Sequence, residues 1–235
     1  MTGAGSGIGR GLARALAASG AAVAACDIRA DAAAETAALI RAAGGRALPL
    51  ALDVSDAAAV EDAAARIATD LGPVRILCNN AGVAMHGVPM HEIALDDWTW
   101  VIGVNVMGVV NGMRSFVPRM LADGRPCHIV NTASIGGFQV NPNFLTGAYS
   151  MTKYAVVALS EGLRNETAGT NIGVSVLVPA AVATGIHLSG RARPERLGGP
   201  VERPQNHFMG ELIRDGADPD AVGARVVAAI EAGEF

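Results

Sequence analysis

A phenol and an ammonium group lie four residues apart in the chain, at Tyr149 and Lys153. Within a helix this spacing puts both side chains on one face. A free tyrosine has a pKa near ~10, and an adjacent positive charge lowers that pKa. Ser134 follows an apolar run and could donate a hydrogen bond to a substrate oxygen while Tyr149 exchanges a proton with it. Together these residues predict acid–base chemistry, although a tyrosine and a lysine at this spacing more often mark an exposed helix face.

A glycine-rich turn opens the chain, from Thr2 to Gly9. Backbone N–H groups at such a turn, with the dipole of a following helix, can bind a pyrophosphate, but the motif alone also fits a plain structural bend. Asp27 ends the next predicted strand, where a carboxylate accepts hydrogen bonds from ribose hydroxyls and repels a 2′-phosphate. This pattern favours NAD over NADP, although Arg29 could compensate a phosphate; Ser6 adds no second positive charge.

Apolar runs of strand length alternate with segments of helical periodicity, which is typical of parallel strands joined by crossover helices. The near-continuous apolar content of these runs suits a sheet that is covered on both faces. We predict strands at Ala21–Asp27, Ala47–Asp53, Arg75–Asn79, His128–Ala133 and Gly173–Pro179. We predict helices at about Ile8–Ser19, Asp31–Ala43, Ala57–Leu71, Asp96–Ala122, Gly147–Thr167 and Pro219–Ala232, with Asp96 as an N-cap and Gly20 and Gly44 as C-terminal stops.

The predicted fold class is α/β, with a Rossmann-like doubly wound parallel sheet in a single domain spanning residues 1–235. The stretch 185–210 is rich in Gly, Pro, Arg and His and is predicted to be an irregular lid over the substrate.

Composition narrows the class of ligand. The formal net charge is −4, with both signs scattered, so we expect a small-molecule substrate and neither nucleic acid nor a membrane as a partner. No apolar run reaches membrane-span length and no signal-peptide pattern is present, so we expect a cytoplasmic protein. No metal site is expected, because the histidines and cysteines lack ligand spacing. We expect buried core thiols at Cys26, Cys78 and Cys127, and surface or loop histidines at His86, His91, His128, His187 and His207.

The ordered set of motifs resembles the short-chain dehydrogenase/reductase family over nearly the whole chain. The motifs are TGAGSGIG at 2–9, Asp53-Val54, NNAG at 79–82, Asn105, Ser134, YSMTK at 149–153, and Pro179 followed by Val182 and Thr184. The resemblance implies an oxidoreductase that transfers a hydride between NAD(H) and a secondary alcohol or ketone, assembled as a homodimer or homotetramer. A narrower likeness, over Asp96–Val130, is to Cα-dehydrogenases that oxidise benzylic alcohols of lignin-type aryl ethers.

The resemblance also implies roles for individual residues. The catalytic group would be Asn105, Ser134, Tyr149 and Lys153, with Asn105 anchoring a water relay to Lys153. The cofactor-binding residues would be Gly3, Ser6, Gly7, Ile8, Gly9, Asp27, Ile28, Asp53, Val54, Asn79, Ala81, Gly82, Tyr149, Lys153, Pro179, Val182 and Thr184. Ser134 and Tyr149 would contact substrate, and His187 and Leu188 are added as substrate contacts because they begin the predicted lid.

The sequence departs from the family pattern at both ends. Only Met1 precedes the glycine turn, where the family has a central first strand, and the family's last edge strand is also lacking after Phe235. We therefore expect a shortened form of a longer enzyme. The alternative is a non-catalytic dinucleotide-binding or poorly folded fragment of such an enzyme. A methyltransferase could also use a glycine turn and an acidic residue, but it would not need the Ser134, Tyr149 and Lys153 set.

Two smaller departures lie beside the predicted site. Ser134 and Tyr149 are about two residues further apart than is usual in the family, with the extra length at 141–144, so the loop next to the site is expected to be enlarged. Ala180 replaces the glycine that usually follows the proline, which could restrict the backbone near the nicotinamide.

Overall fold

Parallel strands and crossover helices alternate along the chain. The structure is a computed structural model that describes residues 1–235 apart from the side chains of Gln205 and Asn206. The strands are β1 Val23–Asp27, β2 Ala47–Ala51, β3 Ile76–Asn79, β4 Cys127–Thr132 and β5 Ile172–Leu177. The helices are α1 Gly7–Ala18, α2 Ala30–Ala42, α3 Ala57–Leu71, α4 Leu95–Ile102, α5 Gly108–Asp123, α6 Gly147–Glu166, α7 Gln205–Ile213 and α8 Pro219–Ala232. The predicted α/β fold with parallel strands is confirmed.

The strands form two parallel groups. β1 pairs with β2, while β3, β4 and β5 form a second sheet with β4 in its middle. The backbone of Met1–Ala4 lies between β1 and β3: Cys26 N–H donates to the Met1 carbonyl at 2.9 Å, and Thr2 N–H donates to the Cys78 carbonyl at 3.1 Å. The position expected for a first strand is thus held by these opening residues, which lead directly into the glycine turn.

Alternate residues of the strands face two separate cores, as the period of two in a β-strand requires. Leu77 and Ile129 pack towards α3 and α5. Cys78 and Val130 pack towards α1 and α8. Helices therefore cover both faces of the sheet, which explains the near-continuous apolar strands. The three cysteines are all buried, as predicted for core residues: Cys26, Cys78 and Cys127.

Helices α4 and α5 form one continuous helical stretch with a π-helical turn at Gly103–Met107 between them. The stretch Leu95–Asp123 is long and apolar enough, by length and composition alone, to cross a membrane, contrary to our reading of the sequence. Half of its most apolar 18-residue window is buried inside the protein. The expected N-cap at Asp96 is wrong, because the helix begins at Leu95 and Ala94 is the preceding residue.

The segment 185–210 contains regular structure, so the prediction that it is irregular is wrong, while its role as a lid stays a prediction. It forms 3₁₀ helices at Ile186–Ala192 and Glu195–Leu197 and then enters α7. Asp97 on α4 binds Arg193 at 2.9 Å and Arg203 at 2.7 Å, and all three side chains are nearly buried. This ion-pair cluster attaches the segment 185–210 to α4. The Gly- and Pro-rich composition of the segment did not predict these ion pairs.

Helices α1 and α8 approach each other closely where glycines replace side chains. A Cβ added to Gly223 would lie 2.6 Å from the backbone carbon of Gly11. Such a contact is too short for packed atoms, so the helix axes would have to separate. The absence of a side chain at Gly223 therefore sets the spacing between α8 and the helix that begins at the glycine turn.

Replacing Gly223 with alanine is expected to destabilise the protein by about 1–3 kcal/mol, because the added methyl group overlaps α1. The matched control is Gly162→Ala on α6, where an added Cβ meets nothing within 4 Å. That change should be neutral or stabilise the protein by up to ~1 kcal/mol through helix propensity. Thermal melting of both variants measures the difference. A melting temperature for Gly223→Ala equal to that of Gly162→Ala would contradict the close packing.

Candidate active site

A pocket lies at the carboxyl ends of the strands, where open parallel sheets bind their ligands. Its wall brings together the glycine turn, the end of β1, the loop after β3, the end of β4, the start of α6 and the loop after β5. Seventeen of the residues predicted from the sequence line it: Gly3, Ser6, Gly7, Ile8, Gly9, Asp27, Ile28, Asp53, Val54, Ala81, Gly82, Ser134, Tyr149, Lys153, Pro179, Val182 and Thr184.

The glycine turn presents backbone rather than side chains to the pocket. A Cβ on Gly9 would overlap the carbonyl oxygen of Gly3, so α1 can begin this close to the turn only with glycine at that position. Ser6 precedes α1 and its side chain makes no cap hydrogen bond. First-turn N–H groups of a helix lack partners within the helix and favour a negative charge. The turn therefore fits a pyrophosphate.

Asp27 ends β1 and faces the same pocket. Its carboxylate accepts hydrogen bonds from the N–H of Gly5 at 2.8 Å and from the N–H of Arg29 at 3.0 Å. These bonds fix the side chain at the place where a ribose would follow the pyrophosphate. Arg29 also lines the pocket, as the sequence allowed. The turn and this carboxylate together fit a dinucleotide.

Asp53 lies next to the end of β2 and is held by its own loop. One of its carboxylate oxygens accepts hydrogen bonds from the Ser55 N–H at 2.9 Å and the Ser55 hydroxyl at 2.6 Å. The other oxygen lies 3.5 Å from Arg196, which belongs to the segment that Asp97 attaches to α4. The loop after β2 and the segment 185–210 therefore meet at Asp53, beside the pocket.

Helix α6 carries Tyr149 and Lys153 on one face, as their spacing predicted. Lys153 is the only lysine in the chain and is buried. Its ammonium donates to the Thr132 carbonyl at 2.9 Å and lies 5.6 Å from the centre of the Tyr149 ring. Burial disfavours the charged form and lowers the pKa of Lys153 to about 8.

The expectation that Lys153 lowers the pKa of Tyr149 below its ordinary value is wrong. Burial raises the pKa of Tyr149 above its ordinary value, and a hydrogen-bonding interaction with Ser134 opposes only part of that rise. The physical reason is that the lysine is itself desolvated and directs its ammonium at a backbone carbonyl. Tyr149 is therefore held as a protonated phenol.

Asn105 lies in the π-helical turn and is fully enclosed. Its side-chain oxygen accepts from the Val83 N–H at 2.8 Å, and its amide nitrogen donates to the Val83 carbonyl and to the Thr152 hydroxyl, both at 3.0 Å. A Cβ on Gly82 would lie 3.5 Å from both the Asn105 oxygen and the Lys153 nitrogen, so the two groups converge there. Asn105 supports the site from behind the pocket wall.

Three further predicted residues lie outside this pocket. Asn79 directs its amide to Asn131 at 2.9 Å, so it cross-links β3 and β4 instead of facing the pocket. His187 lines an adjoining groove, where its ring packs against Gly210 of α7. Leu188 is among the exposed apolar residues and is not part of the pocket wall. The substrate roles of His187 and Leu188 stay predictions.

The sequence reasoning also missed residues that the fold brings to the site. Asn80 lines the pocket and donates to the Thr2 carbonyl at 3.1 Å; the alternation of side chains at the end of a strand could have separated it from Asn79. His86 lies in a loop, as predicted, but it is buried, with its ring 5.0 Å from that of Tyr149.

His128, predicted to be a surface or loop residue, is instead buried on β4, outside the pocket wall, and contacts Ser175 at 2.7 Å.

Several known proteins that are similar in sequence to this chain are dehydrogenases. A family model described as short chain dehydrogenase matches residues 1–194. A C alpha-dehydrogenase from Sphingobium sp. (strain NBRC 103272 / SYK-6) is 38% identical over 186 residues, which is 77% of this chain and 60% of that protein. A 1-deoxy-11-beta-hydroxypentalenate dehydrogenase from Streptomyces avermitilis is 40% identical over 146 residues, 62% of this chain and 53% of that protein. The chain spans 60% or less of the length of these two relatives.

Two solved structures share the fold over essentially the whole chain. A short chain dehydrogenase/reductase from Burkholderia phymatum in complex with NAD has a TM-score of 0.94 and 39% identity, covering 100% of this chain and 85% of that chain. The apo form of LigD from Sphingobium sp. strain SYK-6 has a TM-score of 0.79 and 34% identity, covering 99% and 85%.

The single lysine allows a direct test of the desolvated ammonium. Its pKa is about 8 in the folded protein against an ordinary 10.5, so the unfolded chain binds more protons between these pH values. The ligand-free protein should therefore gain stability as the pH rises from about 8 to 10, by up to ~1.4 kcal/mol per pH unit, and Lys153→Met should lack this gain. Urea unfolding of both proteins at several pH values measures how the free energy of unfolding changes with pH. Tyr149 is present in both proteins, so only the contribution of Lys153 differs between them.

Nuclear magnetic resonance of protein labelled only at lysine gives the same pKa independently, since only one side chain contributes a signal. A midpoint of the lysine titration near 10.5, or parallel pH profiles of stability for the two proteins, would contradict the lowering of the Lys153 pKa by burial.

Proposed function

The chain belongs to the short-chain dehydrogenase family, and we propose that it is an oxidoreductase that transfers a hydride between NAD(H) and a secondary alcohol or ketone. The observation that carries this proposal is the convergence, in one pocket, of the side-chain-free turn before α1 with Ser134, Tyr149 and Lys153. A bound nicotinamide would supply or accept the hydride. The chain's own residues would bind the substrate oxygen and move its proton.

Tyr149 is the proposed proton donor and acceptor, with the Ser134 hydroxyl donating a hydrogen bond to the same substrate oxygen. The raised pKa of Tyr149 suits ketone reduction, because a protonated phenol is ready to donate. Alcohol oxidation needs the tyrosine to lose its proton, so it should be favoured by alkaline pH. Lys153 would bind ribose hydroxyls and contribute positive charge beside Tyr149. Asn105 would anchor a water relay that carries protons to Lys153.

The rim of the site supports bulky, apolar substrates, including benzylic alcohols. The loop between Ser134 and Tyr149 and helix α7 both present exposed apolar side chains, and Phe144 contacts Phe208 across the gap with ring centres 5.1 Å apart. The exposed members are Ile135, Phe138, Val140, Leu145 and Phe208. The likeness to a C alpha-dehydrogenase is in line with aryl substrates.

Assembly as a homodimer or homotetramer is proposed from the family resemblance, with the long helices α5 and α6 as the contact. Exposed apolar side chains on these helices support this: Leu121 on α5, and Met151 and Tyr154 on α6. Location in the cytoplasm stays a prediction.

The acid–base role is tested by the chain's two tyrosines. Tyr149→Phe should lower kcat for oxidation of secondary and benzylic alcohols by about 10²–10⁴-fold, because the proton acceptor is lost. Tyr154→Phe, one turn further along α6 and 44% exposed, is the matched control and should change kcat by less than about twofold. NADH should still raise the melting temperature of both variants. Equal activities for the two variants would exclude Tyr149 as the acid–base group.

The choice of NAD is tested at Asp27. Asp27→Asn should weaken NADH binding by about ten- to a hundredfold and narrow its advantage over NADPH, because charged hydrogen bonds to ribose hydroxyls are lost and the repulsion of a 2′-phosphate is removed. Asp31→Asn, an exposed residue in the first turn of α2, is the control for the change in net charge. Titrations followed by melting temperature measure both cofactors. Tighter binding of NADPH than NADH by the unaltered protein would overturn the preference.

A further inference from the structure

His86 is a buried polar group that the proposed mechanism does not use. Its side chain lies on the segment between β3 and α4 and packs edge-on against the Tyr149 ring, at 5.0 Å between ring centres and 60° between ring planes. The residue is 7% exposed. Among the described residues, Nδ1 is fully enclosed and has no hydrogen-bond partner. An enclosed polar atom without a partner at a reactive centre calls for an explanation.

The enclosure of Nδ1 selects one form of the ring. A proton on Nδ1 would leave an enclosed N–H donor unsatisfied, which is less tolerable than an unsatisfied lone pair. The proton therefore belongs on Nε2, which, unlike Nδ1, is not an enclosed atom without a partner. Burial also lowers the pKa of His86 to about 4, so the ring is neutral at neutral pH. His86 thus presents a single N–H donor next to Tyr149.

The backbone around His86 is held by three different parts of the site. Val83 is bonded to Asn105, as described above. The Ala84 N–H donates to the Ser189 hydroxyl at 2.8 Å, and the Gly87 N–H donates to the Leu145 carbonyl at 2.9 Å. Positioning by several elements is what a binding group needs to keep its geometry before the ligand arrives.

The oxygen that His86 binds is distinct from the reacting one. In the proposed mechanism Ser134 and the Tyr149 hydroxyl bind the reacting oxygen, whereas His86 packs edge-on against the tyrosine ring. We propose that Nε2 of His86 donates a hydrogen bond to a second acceptor oxygen of the substrate, an ether or carbonyl oxygen carried next to the reacting carbon. This inference rests on the proposed function, and it makes His86 a determinant of substrate specificity.

The test compares two alcohols that differ only by an oxygen in place of a methylene group, 2-methoxy-1-phenylethanol and 1-phenyl-1-butanol. The unaltered protein should prefer the ether by about tenfold in kcat/KM, the effect of one hydrogen bond. His86→Phe keeps an aromatic ring against Tyr149 but removes the donor, so the ratio should fall to about one. His86→Gln retains an N–H donor near the position of Nε2 and should recover part of the preference.

A purely structural role predicts a different pattern. Loss of packing would lower kcat/KM for both alcohols equally and leave their ratio unchanged in His86→Phe, and that result would overturn the proposal. A ratio near one in the unaltered protein would overturn it too. Melting temperatures with and without NADH identify a variant that has failed to fold, and in that case the His86→Gln ratio decides.

A second measurement does not depend on activity. Nitrogen chemical shifts of the five histidines, with His86 assigned from the His86→Phe spectrum, report which ring nitrogen carries the proton. A neutral ring at pH 6 protonated on Nε2 is expected. A charged ring, or one protonated on Nδ1, would refute the proposal even if both alcohols are oxidised. If the unaltered protein oxidises neither alcohol while this tautomer is found, benzylic alcohols are excluded as substrates of the proposed function, whereas the N–H donor at His86 stands.

Discussion

The site depends on the short backbone passage at Met1–Ala4 that joins the two groups of strands. The proposed cofactor side of the pocket is built on β1, where Asp27 ends the strand. The proposed catalytic side is built on α6, which carries Tyr149 and Lys153, and on the segment after β4, which carries Ser134. Hydrogen bonds from Met1–Ala4 to Cys26 on one side and Cys78 on the other hold these two halves in register. Since Met1–Ala4 continue into the glycine turn, their hydrogen bonds to the two groups of strands also fix the position of the proposed pyrophosphate site.

Buried polar side chains connect other elements that are separate in the chain. Asn105 binds the loop after β3, Asn79 joins β3 to β4 through Asn131, and Asp97 binds Arg193 and Arg203. Each group bonds to a segment far away in the chain. Breaking a nearly buried ion pair by removing one partner is costly, because the other charge remains desolvated. The side chains that make these contacts lie outside the pocket wall and connect the elements that carry it.

Desolvation disfavours the charged forms of three side chains around the proposed reacting centre, Lys153, His86 and Tyr149. Burial lowers the pKa values of Lys153 and His86 and raises that of Tyr149. The three shifts have one cause, the removal of water from the charged form. The shifts of Tyr149 and Lys153 are therefore set by burial rather than by the attraction between the two groups.

The sequence by itself determined the alternation of strands and helices, the α/β class and most of the pocket. Those features follow from local patterns: apolar runs of strand length, the glycine turn, and the four-residue spacing of Tyr149 and Lys153, which any α-helix converts into a shared face. Only the tertiary structure decided that 185–210 contains two 3₁₀ helices and the start of α7, that Asn79 faces Asn131 rather than the pocket, and that His86 is buried against Tyr149. These outcomes depend on contacts between residues tens of positions apart, such as Asp97 with Arg203, and on desolvation, which belongs to the packed molecule and not to any local run of residues.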